Sequence, residues 1–155
     1  MRRLAFALLL LVGCRPAYRA HPLMLDARWA DGGPLDATAL RGQPHVLELW
    51  MPNCGQCGRV LPALDAEREG LAHDGIALWS LALTDQPDDA FAEAAQFKLG
   101  MPVVTSEQEL LGPNDLKTFP ATLYVSAQGI VIDAEPRAAK PHDIAERARK
   151  IFRAQ

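Results

Sequence analysis

The sequence predicts an α/β domain: a mixed central β-sheet with helices on both faces. Three observations predict it. The runs His45–Trp50 and Ile76–Leu83 are apolar, too short for helices, and bounded by turn residues; helical apolar spacing follows each of them; and a β-hairpin pattern near the end leads into a last amphipathic segment. Strand–helix–strand units call for parallel pairing with crossover helices, and a closing strand–strand–helix adds antiparallel strands.

Composition narrows the class further. The 155 residues, 49% hydrophobic and 23% charged, suit one domain closing one core. A formal net charge of −3 leaves no surplus of cations, and no Lys/Arg stripe is interleaved with aromatics, so nucleic acid is not an expected partner.

Met1-Arg2-Arg3 is a short cationic start, and Leu4–Val12 is an apolar run too short to cross a hydrocarbon core of roughly 30 Å as a helix. That is the shape of an export signal. It ends in Leu11-Val12-Gly13-Cys14, which resembles the lipobox of bacterial lipoproteins. The resemblance implies cleavage before Cys14, lipidation of Cys14, and a domain held at the extracytoplasmic face of a membrane, the periplasmic side in a Gram-negative cell. An ordinary signal cut near Ala17 or Ala20 and an uncleaved anchor are the alternatives. The expected division is a signal peptide over 1–13, a tether over 14–22, and the folded domain over 23–155. Of three cysteines, assigning Cys14 to lipid leaves the pair Cys54 and Cys57.

Within the domain, Leu23–Trp29 reads as extended, and Asp31-Gly32-Gly33-Pro34 turns the chain toward a second strand. His45–Trp50 is a buried strand between Pro44 and Pro52. From Cys57 to about His73 the apolar residues Val60, Leu61, Leu64 and Leu71 have helical spacing, ending near Gly75. Ile76–Leu83 is the second buried strand. Asp85-Gln86-Pro87 opens a helix whose expected buried face is Ala90, Phe91, Ala94, Ala95 and Leu99, with Gly100 as terminator. Met101–Thr105 is a short strand, and Ser106–Leu111 one helical turn. Ala121–Ser126 and Ile130–Asp133 form a hairpin around Ala127-Gln128-Gly129. A helix from Pro141 then repeats Ile144, Ala145, Ala148, Ile151 and Phe152 on one face.

Cys54-Gly55-Gln56-Cys57 therefore stands just after a buried strand, where an amphipathic helix begins. A helix N-terminus presents unpaired N–H groups and a positive dipole end, which favours a thiolate over a thiol. The thiolate is the attacking species in disulfide exchange, so Cys54 is the expected nucleophile and Cys57, one turn in, the resolving thiol. Three other uses of such a pair stay open. Half of a zinc site would need further ligands, which His21, His45, His73 and His142 do not supply by spacing. A purely structural disulfide would close a very short loop, where its benefit is least. Two thiolates with Met51 or Met101 as a soft third ligand would suit copper(I), making the chain a copper carrier.

Trp50-Met51-Pro52-Asn53-Cys54-Gly55-Gln56-Cys57, with Pro62 beyond and Phe119-Pro120-Ala121-Thr122 late in the chain, resembles the active-site pattern of the thioredoxin superfamily, and most of all its TlpA/ResA branch of anchored bacterial proteins. The similarity runs from about Leu23 to the C-terminus. It implies a thioredoxin-like fold with an N-terminal hairpin and a βα insertion at 87–105. The implied activity is thiol–disulfide oxidoreduction through a redox-active Cys54–Cys57 disulfide, with no other cofactor. Implied partners are disulfides of exported proteins, such as apocytochrome c or copper-site cysteines, and a membrane thiol donor; the implied state is a monomer. Pro62 would kink the helix. Pro120 would be cis and lie beside the cysteines, against the alternative of an ordinary trans loop proline. Phe119 would offer its backbone to an extended substrate, against the alternative of a core aromatic, and Trp50, Phe119 and Pro120 form the expected substrate contact.

Glu48 shares a strand face with Trp50 and matches the position of thioredoxin's buried acid. A buried carboxyl titrates nearer neutrality, so Glu48 is expected to take the proton of Cys57; the alternative is a solvent-reaching side chain paired with Arg59. Departures are Asn53 and Gln56, where relatives often have Trp and Pro, and Gly58 in the first helical turn, followed by Arg59, which could direct positive field at Cys54. The direction of electron flow stays open.

Overall fold

A computed structural model describes residues 18–35 and 37–154. The elements are β1 (His21–Pro22), β2 (Ala27–Arg28), β3 (Pro34–Leu35), β4 (His45–Trp50), α1 (Cys57–Asp65), α2 (Arg68–His73), β5 (Ala77–Leu83), α3 (Pro87–Phe97), β6 (Val103–Ser106), β7 (Ala121–Val125), β8 (Ile130–Glu135) and α4 (Pro141–Arg153), with 3₁₀ turns at Ala37–Leu40 and Gly112–Asn114. All six residues of β4 are buried, a state that requires both strand edges paired and both faces covered. It pairs parallel with β5 and antiparallel with β7, in a sheet of order β1-β8-β7-β4-β5-β6-β2-β3.

Alternation along β4 feeds two cores. Val46 and Trp50 meet Leu61, Leu64, Leu71, Ala90, Ala94, Ile144, Ala145 and Ala148, so all four α-helices bury their apolar stripes on this face. Leu47 and Leu49 meet the opposite core, closed by residues of the N-terminal segment, by Leu40 of the first 3₁₀ turn, and by Leu110 and Leu116 around the second. Helical structure thus covers both faces, α-helical on one side and 3₁₀ on the other. Among the described residues, no helix is long and apolar enough to cross a membrane.

Four local expectations shift. The folded body starts before residue 23: His21 and Pro22, placed in the tether, pair with Val131 and Ile130 of β8, and the Tyr18 hydroxyl donates to Asn114 (3.2 Å). The exposed edge of β8 recruits them. The helix expected over 57–73 is two helices, because its bonding tightens from Ala66 N–H→Pro62 O to Glu67 N–H→Leu64 O. The next helix ends at Lys98, which is left-handed (φ 55°), two residues before the expected Gly100, and it turns Ala95 to solvent while Phe97 packs inward. The helical turn expected over 106–111 forms instead at Gly112–Asn114, since Leu110 is drawn into the core and the Asn114 amide bonds its carbonyl (2.7 Å).

The insertion helix α3 is fastened to α1. Asp65 accepts from the Gly100 and Met101 N–H groups (2.8 and 2.7 Å), and a Cβ at Gly58 would stand 3.1 Å from the Phe97 ring. The unusual glycine in the first turn of α1 is therefore the seat of Phe97.

Candidate functional site

Trp50 ends β4, and the chain crosses Met51–Gln56 before α1 begins at Cys57. Cys54 and Cys57 are joined as a disulfide, with their Cα atoms 5.2 Å apart. Cys57 has no exposed surface, whereas Cys54 is half-buried. The Cys57 N–H donates to the Cys54 carbonyl (2.9 Å) and lies 3.2 Å from the Cys54 sulfur, while Gly58 N–H reaches the same carbonyl (3.3 Å). One N–H group of the helix start therefore lies at the outer sulfur, a contact that favours a thiolate there. Asn53 has φ 61°, a left-handed conformation that Asn adopts more readily than an aromatic or branched residue. Its N–H donates to Glu93 Oε2 of α3 (2.8 Å). Backbone geometry thus accounts for Asn at a position where an aromatic was the expectation.

Glu48 lies between Val46 and Trp50 on the helical face of β4, the face that buries Cys57, and is 1% exposed. Its partner is not Arg59: Thr122, opposite it on β7, donates its hydroxyl to Glu48 Oε2 (2.7 Å). On the other flank Ser80 of β5 is in register with Glu48, its hydroxyl buried without a partner among the described residues. Burial pushes the Glu48 carboxyl up to about 8, against the smaller opposing pull of the Thr122 hydrogen bond. A carboxyl in that range can accept and return a proton near neutrality.

The Phe119–Pro120 bond is cis. Leu49 pairs with Ala121, so Pro120 lies beside the end of β4, where the cysteine loop departs. Phe119 is half-buried and touches both cores, leaving part of its surface at this end of the sheet. Trp50 departs from expectation: with no exposed surface and its ring 6.2 Å from that of Phe97, it packs the core behind the loop and cannot present a face to a partner. Cys14 lies outside the described residues.

Three residues escape a reading of the sequence. Thr122 becomes visible only once the register of β4 on β7 is known. Glu93 is one acidic residue among several on the polar side of α3, and Phe97 falls outside the apolar set read from the helix pattern.

No protein-family model matches the chain, and no curated protein matches it by sequence. Solved structures do. The thioredoxin domain of a thiol-disulfide oxidoreductase from Bacteroides vulgatus superposes with a TM-score of 0.70 at 14% identity, covering 88% of this chain and 96% of that one. A secreted disulfide oxidoreductase of Mycobacterium tuberculosis, homologous to E. coli DsbE, gives 0.63 at 19% identity over 81% and 95%. StoA from Bacillus subtilis gives 0.62 at 19% identity over 84% and 98%. The chain therefore has a thioredoxin-like fold. Its cysteine pair occupies the strand-to-helix junction at the end of the central strand.

Glu48 couples stability to pH. With a carboxyl raised from 4.5 to about 8, the folded protein holds one proton more than the unfolded chain between those values. Stability contributed by the neutral carboxyl is therefore full below about 4.5 and is lost as pH rises through about 8. Burial shifts His45 the other way, lowering it. That contribution is common to wild type and Glu48→Gln and cancels between them. Urea unfolding of both oxidised proteins should show wild type losing on the order of 4 kcal/mol relative to Glu48→Gln between about pH 5 and about pH 9. A pH-independent difference would reject a neutral buried Glu48.

Proposed function

We propose that this protein is a membrane-anchored, extracytoplasmic thiol–disulfide oxidoreductase that reduces disulfides of exported proteins through Cys54 and Cys57. The observation that carries the reading is the Cys54–Cys57 disulfide at the N-terminus of α1, its first cysteine half-buried and its second fully buried. The thioredoxin-like fold, shared with a thiol-disulfide oxidoreductase of B. vulgatus and a disulfide oxidoreductase of M. tuberculosis, supports the chemistry. A secreted M. tuberculosis protein among them and the export signal read at residues 1–13 support the location.

In the reduced protein the Cys54 thiolate attacks one sulfur of a partner disulfide. A Cys54–partner disulfide forms, and the second partner sulfur leaves as a thiolate that takes a proton. Cys57 then gives its proton to Glu48, directly or through water, and attacks the Cys54 sulfur. The internal disulfide closes and the partner leaves with both sulfurs reduced, two electrons gained. A dithiol donor at the membrane reverses the exchange and restores Cys54 and Cys57. Phe119, half-buried at the same end of the sheet, is the proposed contact for an extended partner segment during attack, with Pro120 beside it buried.

A Cys57→Ser protein expressed in an exporting bacterial cell should accumulate mixed disulfides with other exported proteins, visible as bands that disappear on reduction. Absence of any such species, with stoichiometric copper(I) binding abolished by Cys54→Ser, would transfer the pair to the carrier reading. In stopped-flow exchange with a model disulfide, Glu48→Gln should leave the first attack unchanged and slow release by ten-fold or more, in line with the roughly 10²-fold or greater effect of positioned acid–base groups. Equal release rates would remove Glu48 from the proton path. Cys14→Ser should move the protein from the membrane to the soluble fraction; continued membrane association would count against the lipid anchor.

A further inference from the structure

Opposing influences meet at Cys54. The start of α1 brings the Cys57 N–H to 3.2 Å from its sulfur, which favours the thiolate. To the same loop α3 brings a carboxylate: Glu93 Oε2 accepts the N–H of Asn53, one residue before Cys54, at 2.8 Å. A negative charge beside a thiol disfavours the thiolate. The contact is held rigidly, because α3 is pinned to α1 by Asp65 on the Gly100 and Met101 N–H groups and by Phe97 seated on Gly58. The same bond holds Asn53 in its left-handed conformation. Of the other titratable groups, Arg59 stands in the first turn of α1 and Glu48 on β4, the strand that leads into the loop.

We propose that Glu93 is a positioning and charge-setting residue for Cys54: its hydrogen bond fixes the loop carrying the nucleophile, and its charge keeps the cysteine pair more reducing than the helix N-terminus alone would make it. The inference rests on the reading of Cys54 and Cys57 as an exchange pair and adds to it a residue that sets the potential of that pair. The reason is thermodynamic. Whatever stabilises the Cys54 thiolate stabilises the reduced protein and makes its disulfide a stronger oxidant; a nearby carboxylate acts in the opposite sense.

The test uses the full-length protein in detergent, comparing wild type, Glu93→Gln, Glu93→Ala and Asn53→Gly. Glu93→Gln keeps an acceptor for the Asn53 N–H and removes the charge. Its Cys54 should ionise at lower pH, read from the pH dependence of alkylation. Its equilibrium with glutathione should move three- to tenfold toward the reduced protein, a change of up to about 30 mV. The shift should shrink in high salt, because the loop is open to solvent. Glu93→Ala should show at least the same shift and, with the bond gone, slower attack by Cys54 on a model disulfide. Asn53→Gly retains the N–H and the left-handed backbone and should keep wild-type values. An unaltered Cys54 ionisation and glutathione equilibrium in Glu93→Gln would overturn the proposal, leaving Glu93 a structural clamp. A shift of equal size in Asn53→Gly would overturn it too, assigning the effect to the loop. These readouts need no partner protein. If Cys57→Ser traps nothing while Glu93→Gln still shifts both values, the proposed activity fails and this inference stands; the reverse pattern removes this inference alone.

Discussion

The pairing of β4 on both edges is the constraint from which the rest of the molecule follows. A six-residue strand with every residue buried cannot leave a backbone amide or carbonyl unbonded, so β5 and β7 must flank it in fixed register. That register has consequences at both flanks. It sets Ser80 and Thr122 on either side of Glu48, and it brings Ala121, with Pro120 before it, to the end of the strand where the cysteine loop begins. A one-residue slip on β7 would turn Thr122 to the opposite face and leave Glu48 without its hydrogen bond. The same slip would take Leu123 and Val125 out of one core and Tyr124 out of the other, which makes it costly.

Among the described residues Glu48 is the one acidic side chain buried in this interior, and it conflicts with the pattern around it. A buried carboxyl with a single hydroxyl partner costs stability in its ionised form, and the structure meets that cost by raising the group to about 8, so that it exchanges its proton near neutrality. An apolar residue would fill the position with no such conflict. Polar exceptions of this kind gather at functional sites, and here the exception lies on the face of β4 that also receives Cys57.

How far the chain could be read in advance follows from the range of the interactions involved. The strand His45–Trp50, the start of α1 at Cys57, the hairpin over 121–135 and the last helix are written in periodicity and turn residues a few positions apart, and they form where expected. Burial of Glu48 was legible for the same reason, from its apolar neighbours on the strand. What was not legible depends on partners far along the chain. His21 and Pro22 look like linker until the free edge of β8, more than a hundred residues later, recruits them. Thr122 needs the β4–β7 register, and Trp50 reads as a surface contact until Phe97 arrives from α3 and closes over it. Lys98 ends α3 by adopting a left-handed conformation that its residue type does not advertise.

Asn53, Gly58 and Glu93 extend that lesson from the fold to the site. Read singly, the first two are departures from a familiar pattern and the third is an ordinary acidic residue on a helix surface. In the folded chain they form one contact surface between α3 and the cysteine loop: the glycine admits the Phe97 ring, and the asparagine takes the backbone turn that aims its N–H at the carboxylate. Each would be poorly placed without the others, since a side chain at 58 would push α3 away and a residue confined to negative φ at 53 would redirect the N–H. The helix inserted between β5 and β6 therefore does more than cover the sheet. It reaches the loop next to Cys54 and holds it by a hydrogen bond between residues 40 positions apart in the chain.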